Sequence, residues 1–324
     1  MLKTITDAIQ NASTIILTTH KQCDGDGLGA QLGIYHALRS IGKTVRVLNV
    51  DATPTKYRFL EPDTHIQYFD GHFDPIEPTD LALVFDTNDK RLLTPLYTEL
   101  EKKCKNILFI DHHPVLKAGP EPTPGSFINT KAASTGEIAF DIIKSLNIKL
   151  NRDIARAIYT SIAFDTQIFR YMRNSYRSHE IAAELLKFET EPSLIHRQMF
   201  GNYTAKKLKY LSKVLSEMEF FYEDRLVFLQ IKADELKDKG LDPEDTRDLV
   251  DMMMNIETIE VGALIRENSD GSFKVSLRSK GPVEVNSLAE SFDGGGHIFS
   301  AGASTQLKGS DLKEKIINHF KNRF

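Results

Sequence analysis

The sequence predicts an α/β protein of two domains, a larger N-terminal one on a parallel sheet and a smaller C-terminal one on a mixed sheet. Three observations lead there. A length of 324 residues corresponds to about two domains. In the first half, short and almost wholly apolar runs alternate with stretches of helical period, the pattern of parallel strands covered on both faces. After residue 225 the runs become rich in β-branched residues, and a hairpin signal joins two of them.

The first-half strands are TIILTT (14–19), TVRVLNV (44–50), LALVFD (81–86) and NILFID (106–111). Between the first two, Leu28, Leu32, Tyr35 and Leu38 recur at helical spacing over 28–40, with Gly42 as a stop. Further helices are expected at 135–147, 152–164 and 178–188. STGE (134–137) has capping-box spacing ahead of the apolar run IAFDII, so Ser134 reads first as a helix cap. Residues 192–220 read as helix, with a stripe of Leu208, Leu211, Leu215 and Met218. Lys206, Lys207, Lys209 and Lys213 read there as a solvated face rather than a nucleic-acid patch. This places one domain at 1–190, a helical linker at 191–222 and the second domain at 223–324. In the second domain RLVFLQIK, TIEVGALIR and SFKVSLRS are strands, NSDGS (268–272) is a hairpin turn, and helices are expected near 244–255, 285–292 and 310–322. MMM (252–254) reads as core filling.

Composition narrows the function classes. Hydrophobic residues make 41% and charged residues 27%, as in ordinary globular proteins. The net charge of −4 provides no global positive field, so long duplex nucleic acid is not an expected partner. Two cysteines, Cys23 and Cys104, cannot make a disulfide framework and have no CxxC spacing. The start MLKTITDAIQNAS lacks the apolar core of a secretory signal. No apolar run approaches the roughly 20 residues that cross a bilayer. The expectation is a cytoplasmic protein with no membrane partner.

Polar clusters sit at special places on this map. His20, Asp24 and Asp26 follow the first strand, Asp86 ends the third, and Asp111, His112 and His113 end the fourth. Loops at the carboxyl ends of parallel strands gather into one crevice, so these should converge. Asp165, after the helix ARAIYTSIAF, can join them. Carboxylates brought together raise one another's pKa. Two divalent cations would neutralise the cluster, and two-metal sites hold their ions roughly 3.5–4 Å apart. Carboxylate with imidazole suits Mn²⁺, with Mg²⁺, Co²⁺ or Fe²⁺ also accommodated. Each cluster alone has a plain structural reading, as turn, cap or solvated strand end; their joint placement favours the metal site. GDGLGA (25–30) offers a competing reading as a dinucleotide fingerprint that holds NAD, with Asp51 as its ribose-binding acid. That reading leaves His20, Asp24, Asp26 and DHH unexplained.

HKQCDGDGLG resembles the first motif of the DHH phosphoesterases, VFDTND the second, IDHHP the third and AFDTQIFRY the fourth; SFDGGGHIFSAG (291–302) resembles the GGGH motif of the accompanying DHHA1 domain. These motifs span residues 20–302, and the two-domain length is most similar to the NrnA-type nanoRNase/pAp phosphatases. The resemblance implies an active-site cleft between a DHH and a DHHA1 domain. It implies hydrolysis of very short oligoribonucleotides, such as pApA or pGpG, and 3′-dephosphorylation of adenosine 3′,5′-bisphosphate; a stand-alone cyclic di-AMP phosphodiesterase is the alternative. It assigns His20 and Asp24 to one metal, Asp26, His112 and Asp165 to the other, and Asp86 to both. Asp111 would orient a histidine and His113 would face the scissile phosphate. Cys23, Gly27 and Ala30 depart from the usual Pro, Ala and Ser.

In DGGGH, three glycines permit close backbone approach, and consecutive amides can form an anion nest. Gly294, Gly295, Gly296 and His297 are therefore substrate candidates, with Arg278, Ser279, Arg266, Arg170 and Ser134 as further ones. Short oligoribonucleotides, dinucleotides or nucleoside bisphosphates are the expected partners, with a homodimer as the default assembly.

Overall fold

In the computed structural model, residues 1–61, 66–69, 74–116, 119–172, 175–238, 240–241, 246 and 248–324 are described. The chain forms two compact units, Met1–Asn202 and Tyr203–Phe324.

The first unit is built on a six-stranded sheet in the order β3-β2-β1-β4-β5-β6. Its strands are β1 (Thr14–Thr19), β2 (Thr44–Asn49), β3 (Ile66–Tyr68), β4 (Thr79–Phe85), β5 (Cys104–Asp111) and β6 (Phe127–Ile128). Every pairing is parallel. The four expected strands are present; β3 and β6 are too short to leave a pattern and complete the edges. The helices are α1 (Leu2–Asn11), α2 (Gly25–Ser40), α3 (Leu96–Lys103), α4 (Thr135–Ser145), α5 (Arg152–Asp165), α6 (Arg177–Leu185) and α7 (Pro192–Phe200). Ile15, Leu17, Leu81, Leu83 and Phe85 meet residues of α1, α2, α4 and α5 in one core. Ile16, Ala82, Val84, Ile107 and Phe109 join residues of α3 in another. Alternate side chains of one strand thus enter opposite cores, which is why these strands read as unbroken apolar runs.

Helix α2 begins at Gly25, three residues before the periodic leucines suggest, so the glycines of GDGLGA lie in a helix rather than a loop. Asp24 starts it: its Oδ1 accepts from the amides of Asp26 at 3.0 Å and Gly27 at 3.4 Å. Gly25, Gly29 and Gly33 then fall on one face, four residues apart. A Cβ at Gly29 would come within 2.5 Å of Ala157 O, and one at Gly33 within 2.3 Å of Ile158 Cδ1. The glycines let α2 and α5 pack backbone to backbone.

The second unit carries a six-stranded sheet in the order β11-β12-β10-β9-β8-β7. Its elements are α8 (Ala205–Leu215), β7 (Glu219–Phe221), β8 (Leu226–Ile231), α9 (Ala233–Asp238), α10 (Leu249–Met253), β9 (Val261–Glu267), β10 (Phe273–Ser279), α11 (Asn286–Glu290), β11 (Gly295–His297), β12 (Ser300–Thr305) and α12 (Gly309–Phe320). The sheet is mixed, since β8 and β9 are parallel and the other pairs antiparallel. Asn268–Ser272 turns between β9 and β10 as expected, with Gly271 at φ +79°. The start of the helix expected near 244–255 lies partly outside the described residues; its end is α10. Met253 and Met254 are core residues.

One expectation needs correction. Leu208 is exposed, while Lys207 is buried against Asp248 at 3.3 Å and Tyr203. The face of α8 that packs inward is Lys207, Tyr210, Leu211 and Val214, because a charged residue with a partner can take an inward position. The GGGH stretch contributes an edge strand, Gly295–His297, antiparallel to β12. A Cβ at Gly294 would come within 2.3 Å of Gly302 O, and Gly296 sits at φ +133°, so the glycines serve close strand packing. No helix among the described residues is long and apolar enough to cross a membrane.

Candidate metal centre

In this all-parallel sheet the strands are added in one direction from β1 to β3 and in the other from β4 to β6, and ligands of such sheets bind at the carboxyl ends of the strands beside that switch between β1 and β4. His20, Asp24 and Asp26 follow β1, Asp86 follows β4, and Asp111–His113 closes β5. Asp165 is the last residue of α5. The structure brings all eight together.

Among the described residues of the first unit, three groups have ligating atoms within 4.8 Å of one another: His20 with Asp24 and Asp86; Asp26 with His112 and Asp165; and Asp86 with Asp111 and His113. Asp86 joins the first two. Its Oδ2 lies 3.5 Å from His20 Nε2, and its Oδ1 lies 3.6 Å from His112 Nε2. His112 Nε2 is also 3.4 Å from Asp26 Oδ2 and 3.2 Å from Asp165 Oδ2. One carboxylate therefore faces two pockets with separate oxygens.

The shape of the site is held by hydrogen bonds. His20 Nδ1 is 2.8 Å from Lys21 O and His112 Nδ1 is 3.3 Å from Ala132 O, which directs each Nε2 inward. Asp111 Oδ1 accepts from the amides of His112 at 2.8 Å and His113 at 3.1 Å, and lies 2.9 Å from His113 Nδ1. Asp111 Oδ2 accepts from Asn88 Nδ2 at 2.6 Å, and the same amide donates to His113 O at 3.0 Å. Asp26 Oδ2 accepts from the Thr135 amide at 2.9 Å, and its Oδ1 from the Gly136 amide at 3.3 Å and from the Ser161 hydroxyl. Thr135 Oγ1 donates to Asp86 Oδ1 at 3.0 Å. Sequence reasoning missed Asn88, Thr135, Gly136 and Ser161. Asn88 sits in VFDTND, two residues past Asp86; the others carry no signal, since their partners are remote in sequence.

Electrostatics point to cations. Asp26 is fully buried, and burial, then Asp86 and Asp165, push its pKa well above the ordinary carboxylate value. Burial and Asp24 do the same to Asp86, against the pull of His113. Burial would lower the His113 pKa, but Asp111, by charge and hydrogen bond, then Asp86 and Asp165 outweigh it and raise the imidazole to about 10. Oxygen and imidazole donors with surplus negative charge fit hard or borderline divalent ions. Asp86 holds φ +61°, a strained backbone for a non-glycine residue, of the kind concentrated at functional sites.

The dinucleotide reading fares worse. The Asp26 and Gly27 amides, which would cradle a pyrophosphate, are taken by Asp24, and Asp51 Oδ2 accepts from the Gln22 amide at 2.6 Å. Cys23 is buried, and burial, then the neighbouring Asp24, raises its thiol pKa.

Among the other first-unit candidates, Ser134 is the N-cap of α4 and accepts from the Glu137 amide at 3.4 Å. Arg170 is exposed, its guanidinium 5.3 Å from the Tyr171 ring centre. In the second unit, Arg278 and His297 both pair with Ser300, from β10 and β11 respectively, so the three side chains share one sheet face. Arg278 Nε lies 3.5 Å from Asp251. Arg266 lies on that face as well, through its pairing with Lys274, but its side chain is buried. Ser279 alternates to the opposite face, and its Oγ accepts from the Gly281 amide at 3.1 Å.

Comparison with known proteins adds the following. Residues 14–162 match the DHH family, N-terminal domain, and residues 223–324 match the DHHA1 domain. A probable bifunctional oligoribonuclease and PAP phosphatase NrnA of Streptococcus mutans is 30% identical over 98% of this chain and 99% of its own. The bifunctional oligoribonuclease and PAP phosphatase NrnA of Thermus thermophilus is 29% identical over 93% of this chain and 86% of its own. Among solved structures, an exopolyphosphatase-related protein from Bacteroides fragilis shares the fold, with a TM-score of 0.87 and 24% identity over 99% of this chain and 96% of that one.

Proposed function

This chain belongs to the DHH family of phosphoesterases and carries a DHHA1 domain, and we propose that it hydrolyses very short oligoribonucleotides to mononucleotides and removes the 3′-phosphate of adenosine 3′,5′-bisphosphate. The observation that carries a two-cation reading is Asp86, with one oxygen toward His20 and the other toward His112. His20 and Asp24 would hold one ion, Asp26, His112 and Asp165 the other, and Asp86 both. Mn²⁺ suits the mixed carboxylate and imidazole donors best, with Mg²⁺, Co²⁺ or Fe²⁺ as substitutes. Bound cations supply Lewis acidity there, activating water and neutralising phosphate charge.

The chain's own residues do the rest. Asp111 holds His113 through Nδ1, which leaves Nε2 as the ring atom that would donate to a phosphoryl oxygen. Asn88 keeps Asp111 and the backbone after His112 in place. In the second unit, Arg278 and His297, on one sheet face, are the proposed contacts for a terminal phosphate, with the Gly294–Gly296 backbone beside them. The substrate assignment draws on the relatives, which are named for acting on oligoribonucleotides and PAP.

The test offers purified protein and Mn²⁺ a panel of pApA, pGpG, adenosine 3′,5′-bisphosphate, cyclic di-AMP and a length series of RNA. Dinucleotides and the bisphosphate should turn over, with activity falling steeply once RNA exceeds a few nucleotides. Chelator should abolish turnover and Mn²⁺ restore it. Indifference to chelator would overturn the metal reading, equal activity on long RNA would overturn the substrate reading, and a strong preference for cyclic di-AMP would reassign the substrate.

A further inference from the structure

Thr135 touches both carboxylates on which the proposed cation pair depends. Its amide donates to Asp26 Oδ2 at 2.9 Å, and its hydroxyl donates to Asp86 Oδ1 at 3.0 Å. The residue is fully buried. We infer that Thr135 is a positioning residue that sets Asp26 and Asp86 relative to each other and so couples filling of the two cation sites, an inference that rests on the two-cation reading above.

Thr135 is well placed for this because it cannot drift. It is the first residue of α4, which Ser134 caps, and the Glu137 side chain accepts from the Ala133 amide at 3.1 Å. A Cβ at Gly136 would come within 2.2 Å of Ser161 Oγ, so α4 is drawn tightly onto α5. Ser161 in turn donates to Asp26. The start of α4 and one turn of α5 thus form a rigid cradle around Asp26.

Asp86 has less backbone support. Its φ of +61° is strained, and its amide is fixed by a bond to Ile110 O at 3.0 Å. The rotation of its carboxylate decides which oxygen faces which pocket. The Thr135 hydroxyl bonds Oδ1, the oxygen on the His112 side, and so sets that rotation. An ion drawn to Asp26, His112 and Asp165 would lock the Asp26 carboxylate against the already fixed Thr135 amide. The same residue's hydroxyl would then hold Asp86 ready for the ion at His20 and Asp24. Hydrogen-bond partners of metal ligands typically change metal affinity by about 10–100-fold when removed.

The experiment titrates the purified full chain with Mn²⁺ and counts free ion by electron paramagnetic resonance. Wild type and Thr135→Ser, which keeps the hydroxyl, should bind two ions in one cooperative phase. Thr135→Val keeps shape and backbone amide but loses the hydroxyl. It should bind in two separate phases, the weaker displaced by about 10–100-fold. At saturating Mn²⁺ its kcat for pApA should fall while KM stays near wild type. Thr135→Ala is read the same way should the valine variant fail to fold. Two ions binding to Thr135→Val or Thr135→Ala as they bind to wild type would overturn the role of Thr135 alone. Wild type binding fewer than two ions, or Asp86→Ala binding as wild type does, would overturn the two-cation reading itself.

Discussion

Gly27 shows what a single methyl group would do at this site. A Cβ there would come within 2.3 Å of Thr19 Oγ1 and within 3.4 Å of Asp86 Oδ2. Thr19 Oγ1 is itself fixed by donating to Phe85 O at 3.0 Å, so it cannot swing away without leaving a buried carbonyl unpaired. The DHH motif commonly has alanine where this chain has Gly27; here Thr19 fills that space. Gly27→Ala should therefore destabilise the protein by about 1–2 kcal/mol, since overpacking outweighs the helix propensity gained. Combining it with Thr19→Ala should recover part of that loss, with a coupling energy of about 1 kcal/mol in a double-mutant cycle by urea denaturation. Strictly additive effects would rule out the packing exchange.

At the scale of elements, the α2–α5 contact connects core packing to the metal centre. Gly29 and Gly33 both face α5 but meet different atoms. At Gly29 a Cβ would run into backbone, Ala157 O at 2.5 Å and Ser161 N at 2.7 Å. At Gly33 it would meet the tip of the Ile158 side chain, which can rotate away. Gly29→Ala should thus cost about 2–3 kcal/mol in thermal or urea unfolding, and Gly33→Ala less than about 1 kcal/mol. Gly29→Ala should also weaken Mn²⁺ binding, because it displaces Ser161, a donor to Asp26. Equal costs at both positions would contradict this account. The expected start of α2 at Leu28 fell three residues late for the same reason: glycines look like loop, and only contact with α5 shows them to be a packing surface.

For the whole molecule, the crowded carboxylates tie stability to pH. Burial raises the folded-state pKa of Asp26 and Asp86 above the unfolded value of about 3.9. For a raised acid, the folded state binds more protons, so the stabilising contribution is complete below the unfolded pKa. It is lost as pH rises through the raised one. With chelator present, Tm should therefore fall as pH is raised from about 5 toward 8, in the direction set by these groups. With saturating Mn²⁺ the trend should reverse, since the metal competes with protons for the same oxygens. Differential scanning calorimetry at both conditions reads the sign directly; a chelator-treated protein that gains stability with rising pH would sink the argument.

Much of the fold and of the site was legible along the chain. The strands containing Ile15, Leu83 and Phe109 are buried on both faces, so their apolar runs are continuous and local. Because parallel strands gather their carboxyl ends, the letters just after them, His20, Asp24, Asp26, Asp86, His112 and His113, could be expected to meet. Asp165 ends a helix rather than a strand, so the sheet argument only allowed it to join them, and its motif then supported that place. What tertiary structure alone decided is how those side chains are held. The donors to Asp26 come from 109, 110 and 135 residues away, and the one on Asp86 from 49. Edge strands β3, β6 and β11 are two or three residues long and exist only through their neighbours. The GGGH glycines likewise take their meaning from β12, whose backbone leaves no room for a side chain. Local patterning sets which chemical groups arrive at the sheet's end. Their bond directions depend on contacts between residues distant in sequence, and no periodicity encodes those.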